Sequence, residues 1–273
     1  MDGIPVVCLM FFIDSEARSS VTEKIYAVSD VHGHLDALRA ALDIVNLDGD
    51  PDASLVLLGD YVDRGPDSAG VLYAIWELQR KHGERVVVLQ GNHDVWLLDW
   101  VMSEDDDPTW LLADPDLVTL SSFLEPSTIE ALSRNASASE INDHLRHAMR
   151  DEHRDVLAWL RRQPLIHETE MQVFVHAGVD ELAGAFWRAA TPEYWLTEKF
   201  PASTGPFVKT IIAGHVRTAG LHGDGSHEVY HDGASHYYID GAVELTGQLN
   251  VLQYDCENGT YSWQMTPPRE AAQ

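Results

Sequence analysis

The residues of this chain that could do chemistry are Asp, His, Asn and Arg side chains in five short motifs, each following an apolar run. In chain order these motifs are Asp30-Val31-His32-Gly33, Gly59-Asp60-Tyr61-Val62-Asp63-Arg64-Gly65, Gly91-Asn92-His93-Asp94, His176-Ala177-Gly178 and Gly214-His215. Carboxylate and amide oxygens mixed with imidazole nitrogens suit Mn, Fe or Zn better than Ca or Mg alone. An arginine beside such carboxylates indicates a phosphate substrate. The pattern predicts a centre that holds two metal ions and acts on phosphate.

Alternating strands and helices must position the first three motifs. Apolar runs predict strands at 24–29, 54–58 and 85–90, and helical spacing predicts helices at 35–47 and 68–82, with Ser68 as the candidate cap. This βαβαβ order indicates a parallel sheet with helices on a face. Ligands of such sheets bind beyond the carboxyl ends of the strands, which is where the motifs fall.

The middle of the chain, from about 95 to 162, has leucine-rich helical segments and no clear strand, which predicts a helical insert. We expect its tryptophans to be core residues rather than a substrate platform: Trp96, Trp100, Trp110 and Trp159. Further strands are predicted at 172–175, 210–213, 237–240, 249–254 and 261–265, with a hairpin turn at 257–259. The pattern alone therefore predicts an α/β fold with a late antiparallel part.

The composition narrows the choice of partners. The 273 residues fit a single domain with an N-terminal extension at 1–22 and the helical insert. With 18 basic and 44 acidic residues the formal charge is −26, which repels nucleic acid and anionic membranes over a Debye length of about 8 Å. No nucleic acid or membrane partner is expected. Two divalent ions and Arg64 would outweigh Asp30 and Asp60, so the site itself would be cationic.

The N-terminal extension and the two cysteines indicate where in the cell the protein is expected. Residues 6–13 are apolar, but no basic segment precedes them and no small-residue cleavage pattern follows, so an edge strand or ordered tail is favoured over a targeting signal. Cys8 and Cys256 are too few for a disulfide framework. We expect a cytoplasmic protein.

The DxHG, GDxxDRG and GNH signatures, completed by the later VHAG and AGH segments, resemble the calcineurin-like metallophosphoesterases. Within them they resemble the phosphoprotein-phosphatase branch, which also holds the bacterial symmetrical diadenosine tetraphosphatases. The resemblance covers roughly 24–100 and 164–255, and implies a four-layer αββα sandwich. It implies that one ion is bound by Asp30, His32 and Asp60, and a second by Asp60, Asn92, His176 and His215. Mn²⁺ is the favoured metal, with Fe or Zn as alternatives.

The expected chemistry is in-line attack on phosphorus by a hydroxide that bridges the two ions. His93 is the candidate acid for the leaving oxygen, and Asp63 would orient it. Arg64 is expected to bind phosphate oxygens, together with Asn92.

One departure concerns a second phosphate-binding arginine. Members of this branch usually carry it in a Trp-x-Arg stretch, where this chain has Thr197. Arg217 is the best-placed substitute by sequence, with Lys199 and Arg188 as alternatives, and a solvent-facing loop charge is the competing interpretation. Asp94 stands where the branch usually has Glu, which keeps the charge.

Three functions stay open. The first is a metal-dependent phosphomonoesterase of the protein Ser/Thr phosphatase type, acting on a phosphoprotein or a small phosphoester. The second is a bis(5'-nucleosyl)-tetraphosphatase-like hydrolase of dinucleoside polyphosphates. The third is a metal-bound scaffold without activity, which the complete ligand set and His93 disfavour.

Overall fold

The computed structural model describes residues 24–105, 107–113, 117–130 and 136–268. The N-terminal extension and the strand considered for it lie outside these residues. Ten strands are present in the described part of the chain: β1 Lys24–Val28, β2 Ala53–Leu57, β3 Val86–Val88, β4 Ile166–Glu168, β5 Gln172–Val175, β6 Thr210–Ala213, β7 Tyr230–His231, β8 His236–Tyr238, β9 Asn250–Asp255 and β10 Thr260–Met265.

These strands form two mixed five-stranded sheets. The first has the order β10-β9-β1-β2-β3, in which β1, β2 and β3 are parallel and β9 and β10 form an antiparallel hairpin against β1. The second has the order β4-β5-β6-β8-β7, with β5, β6 and β8 parallel and an antiparallel strand at each edge. The parallel strands of each sheet therefore end at a common edge.

Helices cover the outer faces of both sheets. In the described residues they are α1 Leu35–Val45, α2 Ser68–His82, α3 Asn92–Met102, α4 Thr109–Ala113, α5 Val118–Phe123, α6 Pro126–Glu130, α7 Ala138–Glu152, α8 Arg154–Leu160, α9 Trp187–Ala190, α10 Trp195–Glu198 and α11 Val243–Thr246, with 3-10 turns at Gly83–Arg85, Glu181–Phe186 and Thr218–Gly220. None of the helices in these residues is long and apolar enough to cross a membrane.

Three hydrophobic clusters define the layers. The largest joins one face of the first sheet to α1, α2, α3, α7 and α8. The second lies between the sheets, where Ala27 and Val56 of one meet Phe174 and Ile212 of the other. The third packs the outer face of the second sheet on Trp187 of α9. Because successive strand residues point to opposite faces, each sheet contributes to two clusters, and the order helix, sheet, sheet, helix is the predicted αββα sandwich.

The predicted elements are present with small differences in their ends. Strands β5 and β6 match the prediction, and the described residues of 95–162 form helices joined by loops, with no strand. Ser68 is not the cap of α2; Asp67 is, because its carboxylate accepts from the Gly70 amide at 2.8 Å. Strands β4 and β7 were not predicted. They are edge strands of three and two residues, too short to show an alternating pattern.

Candidate metal centre

The motif residues meet where the parallel strands of the two sheets end. Asp30 follows β1, Asp60 follows β2, and Asn92 begins α3 after β3. From the second sheet, His176 follows β5 and His215 follows β6. Each run of apolar residues ends in a buried polar turn, so five separate segments reach one point.

Backbone hydrogen bonds fix the relative positions of these turns. The His32 amide donates to the Asp60 carbonyl at 2.9 Å, and the Gly33 amide donates to the Tyr61 carbonyl at 2.8 Å. Within the second sheet, the Gly214 amide donates to the His176 carbonyl at 2.8 Å. A side chain on Gly91 would place its Cβ 2.2 Å from Asp60 Oδ1, so this close approach requires glycine. Backbone contacts therefore fix the turns relative to one another.

Backbone strain is concentrated in the same turns. Of the nine non-glycine residues with positive φ in the described chain, six belong to the motifs: Asp30, His32, Asp60, Asp63, Arg64 and His215. Side chains other than glycine rarely adopt this left-handed region, and each such residue costs roughly 1–3 kcal/mol. The surrounding structure offsets this free-energy cost in the turns that direct polar side chains into the site.

Asp60 lies at the centre of the group. Its Oδ2 is 3.5 Å from His32 Nε2, and its Oδ1 is 3.5 Å from His176 Nε2. Asn92 Oδ1 lies 3.0 Å from both His176 Nε2 and His215 Nδ1. Two ligands held about 2.1 Å from one ion are about 3.0–3.4 Å apart at octahedral or tetrahedral angles, so these separations suit shared coordination. One carboxylate oxygen faces each side, as a bridging ligand requires.

The histidines present lone pairs to this space. His32 Nδ1 is 2.8 Å from the Val62 carbonyl and His176 Nδ1 is 2.9 Å from the Leu58 carbonyl, so each Nδ1 carries the proton. Burial lowers the pKa of both imidazoles well below the usual value, which keeps them neutral. The Nε2 of His32 is fully buried and has no hydrogen-bond partner. Carbonyl bonds to Nδ1 that orient Nε2 are typical of metal-binding histidines.

The carboxylates need a cation. Burial raises the pKa of Asp60 to about 6, against the lowering effect of His93. Burial and the nearby charge of Asp240 raise the pKa of Asp30 well above its usual value. Buried carboxylates are costly unless positive charge compensates them, and divalent ions would supply it. The donor set, the unpartnered Nε2 and the uncompensated charge all fit the metal ions that the resemblance implies.

Two overlapping groups of three side chains bring ligand atoms within 4.8 Å of one another: His32 with Asp60 and His93, and Asp30 with Asp60 and His176. Both contain Asp60, as a shared ligand should. Their other members differ from the predicted split, because Asp30 groups with His176 and His93 with His32. The assignment of single residues to one ion or the other therefore stays a prediction.

The His93 ring lies between Asp63 and Arg64. Its Nδ1 lies 2.7 Å from Asp63 Oδ2, and Thr119 donates to the other oxygen of Asp63 at 2.6 Å. Burial opposes protonation of His93, but Asp63 and Asp60 outweigh it and raise the pKa of the imidazole. The other ring nitrogen, Nε2, is 3.2 Å from Arg64 Nη2. The candidate acid and the guanidinium predicted to bind phosphate therefore lie side by side.

Arg217 joins the same region through Glu244. The Glu244 carboxylate accepts a hydrogen bond from Arg217 and lies 3.4 Å from Arg64 Nη1. Lys199 instead bonds the Val179 carbonyl and Ser203, and Arg188 pairs with Glu168. Thr197 is buried in α10. Of the three cations considered in place of the missing arginine, Arg217 is the one that shares a partner with Arg64.

The sequence did not indicate the supporting roles of Asp94 and Glu244. Asp94 accepts amide bonds from Asp60 at 2.7 Å, Tyr61 at 3.0 Å and Gly91 at 2.9 Å, so it fixes the turn that carries Asp60. Glu244 is separated from Arg64 by 180 residues, and no local spacing signals their contact. The position of Asp94 next to the GNH motif was a signal that could have indicated its role.

A family model described as calcineurin-like phosphoesterase matches residues 23–218. The chain belongs to the calcineurin-like phosphoesterase family. The match includes all five motifs, and members of this metallophosphoesterase family are hydrolases of phosphate esters that use divalent metals. The resemblance inferred from the motifs is confirmed.

Among curated relatives, the symmetrical bis(5'-nucleosyl)-tetraphosphatase of Nitrosospira multiformis is 35% identical over 155 residues, which are 57% of this chain and 43% of the relative. The protein of the same name from Methylococcus capsulatus is 29% identical over 192 residues, 70% of this chain and 52% of the relative. The chain thus spans about half the length of the curated relatives it matches.

Solved structures agree on the fold. A candidate diadenosine tetraphosphatase aligns with a TM-score of 0.54 and 20% identity, covering 90% of this chain and 94% of that one. A protein serine/threonine phosphatase from Saccharomyces cerevisiae aligns with a TM-score of 0.53 and 16% identity, covering 93% and 83%. At these identities the likeness shows that the αββα fold is shared.

Proposed function

We propose that this calcineurin-like phosphoesterase hydrolyses dinucleoside polyphosphates, with a dinucleoside tetraphosphate as the best substrate. The observation that carries the choice of substrate is that the curated relatives matched over 57% and 70% of this chain are named symmetrical bis(5'-nucleosyl)-tetraphosphatases. This favours the second of the three functions over the protein Ser/Thr phosphatase type. Two guanidinium groups on one carboxylate support it, since a polyphosphate offers several phosphates to bind.

The metal sites would be built by six side chains at the strand ends, of which His215 is half-buried and the others are buried: Asp30, His32, Asp60, Asn92, His176 and His215. When bound, two divalent ions would supply positive charge to the phosphate oxygens and make a water molecule acidic enough to be a nucleophile at neutral pH. Mn²⁺ is the proposed metal, on the mixture of oxygen and nitrogen donors.

The other side chains would orient the substrate and move protons. Arg64 and Arg217 would bind phosphate oxygens, and Asn92 would contact them as well. In the reaction, the oxygen of water bonds to one of the two central phosphorus atoms, and the bond from that phosphorus to the oxygen that joins the two central phosphorus atoms breaks. His93 Nε2 gives its proton to that oxygen, while Asp63 holds the ring. Water and one dinucleoside tetraphosphate then give two nucleoside diphosphates.

Product analysis tests this proposal. The metal-replete protein is incubated separately with diadenosine tetraphosphate, a phosphoserine peptide and p-nitrophenyl phosphate, and the products are separated by chromatography. We expect the highest kcat/KM with the tetraphosphate and ADP as its product. Preferred hydrolysis of the peptide would instead support the protein Ser/Thr phosphatase function. Bound metal without turnover of any substrate would support the scaffold.

A further inference from the structure

A cleft of about 400 Å³ borders the candidate acid. Its walls come from α3 and from the segment around α10, and its lining includes Trp96, Tyr194 and Glu198. The Trp96 ring lies 4.9 Å, centroid to centroid, from the His93 ring. The cleft therefore begins at the side of the site where the leaving group would be protonated.

The aromatic residues of this cleft are unlike the other tryptophans of the helical region. Trp100 and Trp159 are buried, as the sequence predicts, but Trp96 is 41% exposed and Tyr194 is 62% exposed. The interpretation of Trp96 as a core residue is wrong, because α3 begins at Asn92 and turns this position toward the cleft mouth. Its indole Nε1 donates to Glu198 at 2.9 Å, which fixes the orientation of the ring. An exposed ring held in place is suited to stacking.

The charge of the cleft excludes phosphate. Of the nine residues that line it, three are acidic, Asp99, Glu193 and Glu198, and none is Lys or Arg. Such a surface repels the phosphate chain but accepts hydrogen bonds from amino and hydroxyl groups. The apolar part, Val95 and Leu165, provides a surface for a flat ring. An aromatic, uncharged group with N–H donors is the chemistry that matches these walls.

We infer that this cleft binds the purine base of the leaving nucleoside diphosphate, with Trp96 and Tyr194 as its stacking surfaces. This inference rests on the proposed function, because it takes the substrate to be a dinucleotide. Carboxylates on the rim would accept hydrogen bonds from the exocyclic amino group of the base or from ribose hydroxyls. The arginines at Glu244 would then bind the phosphates of the substrate, and the acidic aromatic cleft would bind its base.

The test compares two ligands with the same phosphate chain. KM for diadenosine tetraphosphate and the inhibition constant of inorganic tetraphosphate, which has no base, are measured for the wild type, Trp96→Ala, Trp96→Phe and Tyr194→Ala. Trp263→Ala is the matched control, since Trp263 is 42% exposed and lies on β10 at the edge of the first sheet. Far-UV circular dichroism and melting temperature verify that each variant folds.

We expect Trp96→Ala to raise KM for the dinucleotide about 5- to 100-fold, the loss typical of one base–aromatic stack. The inhibition constant of inorganic tetraphosphate should stay within about twofold of wild type, Trp96→Phe should retain most of the affinity, and Tyr194→Ala should weaken dinucleotide binding alone. Unchanged KM for both alanine variants would overturn the inference. Equal weakening of both ligands would also overturn it, because that result means that the phosphate site was disturbed.

The inference can fail separately from the proposed function. If the wild type does not hydrolyse the dinucleotide, the proposed function is wrong. Calorimetric titration with ADP and pyrophosphate then tests whether the cleft binds a base. Weaker ADP binding by Trp96→Ala with unchanged pyrophosphate binding would support a base subsite. Equal affinities of wild type and variant for ADP would refute it.

Discussion

Replacement of His93 by alanine should impair hydrolysis in proportion to the basicity of the leaving group. We expect this role to be separate from metal binding, because a contact between His93 and Asp60 is made by the backbone: the His93 amide donates to Asp60 Oδ1 at 3.0 Å. Alanine keeps that amide and removes only the ring. We therefore expect bound metal to be retained while proton transfer is lost.

The magnitude follows from how the ring is held. Asp63 holds Nδ1 at 2.7 Å, and only 14% of the His93 side chain is exposed, so the donor is well oriented. An oriented general acid contributes about 10²–10⁴ in rate when the leaving group is basic. Phenyl phosphate has a basic leaving oxygen and should lose this full factor. The more acidic leaving group of p-nitrophenyl phosphate needs less protonation, and its loss should be about tenfold or smaller.

The assay measures kcat for both esters, which are alike in size and charge, and metal content by elemental analysis. His147→Ala, an exposed histidine on α7, is the control. Equal loss of kcat on the two esters would refute the role of His93 as acid. Loss of metal from His93→Ala would assign it to the ligands instead, as its grouping with His32 and Asp60 allows.

Three further predictions concern metal binding, phosphate binding and the stability of the fold in acid. Asp60→Asn should weaken Mn²⁺ binding at least about 100-fold, measured by titration calorimetry, because even residues behind the ligands contribute 10- to 100-fold. Arg217→Ala should lower kcat/KM for diadenosine tetraphosphate by one to two decades, or about 1.5–3 kcal/mol, whereas Arg188→Ala should leave it unchanged. If Arg217→Ala has the same kcat/KM as the wild type, Arg217 is only a surface charge. Burial opposes ionisation of Glu181, but His236 and Lys199 outweigh it and hold its pKa at about 2. Because this folded-state pKa is depressed, the ionised Glu181 stabilises the fold, and Glu181→Gln should lower the free energy of unfolding at pH 7 by about 1–2 kcal/mol after solvent screening. The difference between wild type and variant should shrink as pH falls from about 4.5 to 2, where Glu181 becomes protonated. The control Glu257→Gln should leave the free energy of unfolding unchanged.

The sequence predicts the strand ends of this protein well. Strands such as β5 and β6 are apolar runs that stop at a polar turn, so their ends and the motif residues after them are visible together. The arrangement in two sheets was implied by the resemblance rather than by the pattern, and the strand order was not predicted. Edge strands β4 and β7 are too short for any period to show.

The candidate site was predicted where residues lie inside motifs and missed where they meet only in the folded chain. Glu244 joins Arg64 and Arg217 from a distant segment, and its type alone indicates nothing. Trp96 shares its residue type and helical spacing with buried neighbours, and only the packing of α3 distinguishes it. Long-range contacts of this kind depend on how the layers pack, which local sequence does not record.

The central claim is that one pair of metal ions shares Asp60. It is tested most directly by equilibrating the protein with Mn²⁺, removing unbound metal, and measuring both the Mn²⁺ content and the electron paramagnetic resonance spectrum. We expect about two ions per chain and the spectrum of an exchange-coupled pair, because a carboxylate bridge places two ions about 3.5–4 Å apart. A saturating content of zero or one ion, or two ions with the spectra of isolated Mn²⁺, would contradict the claim.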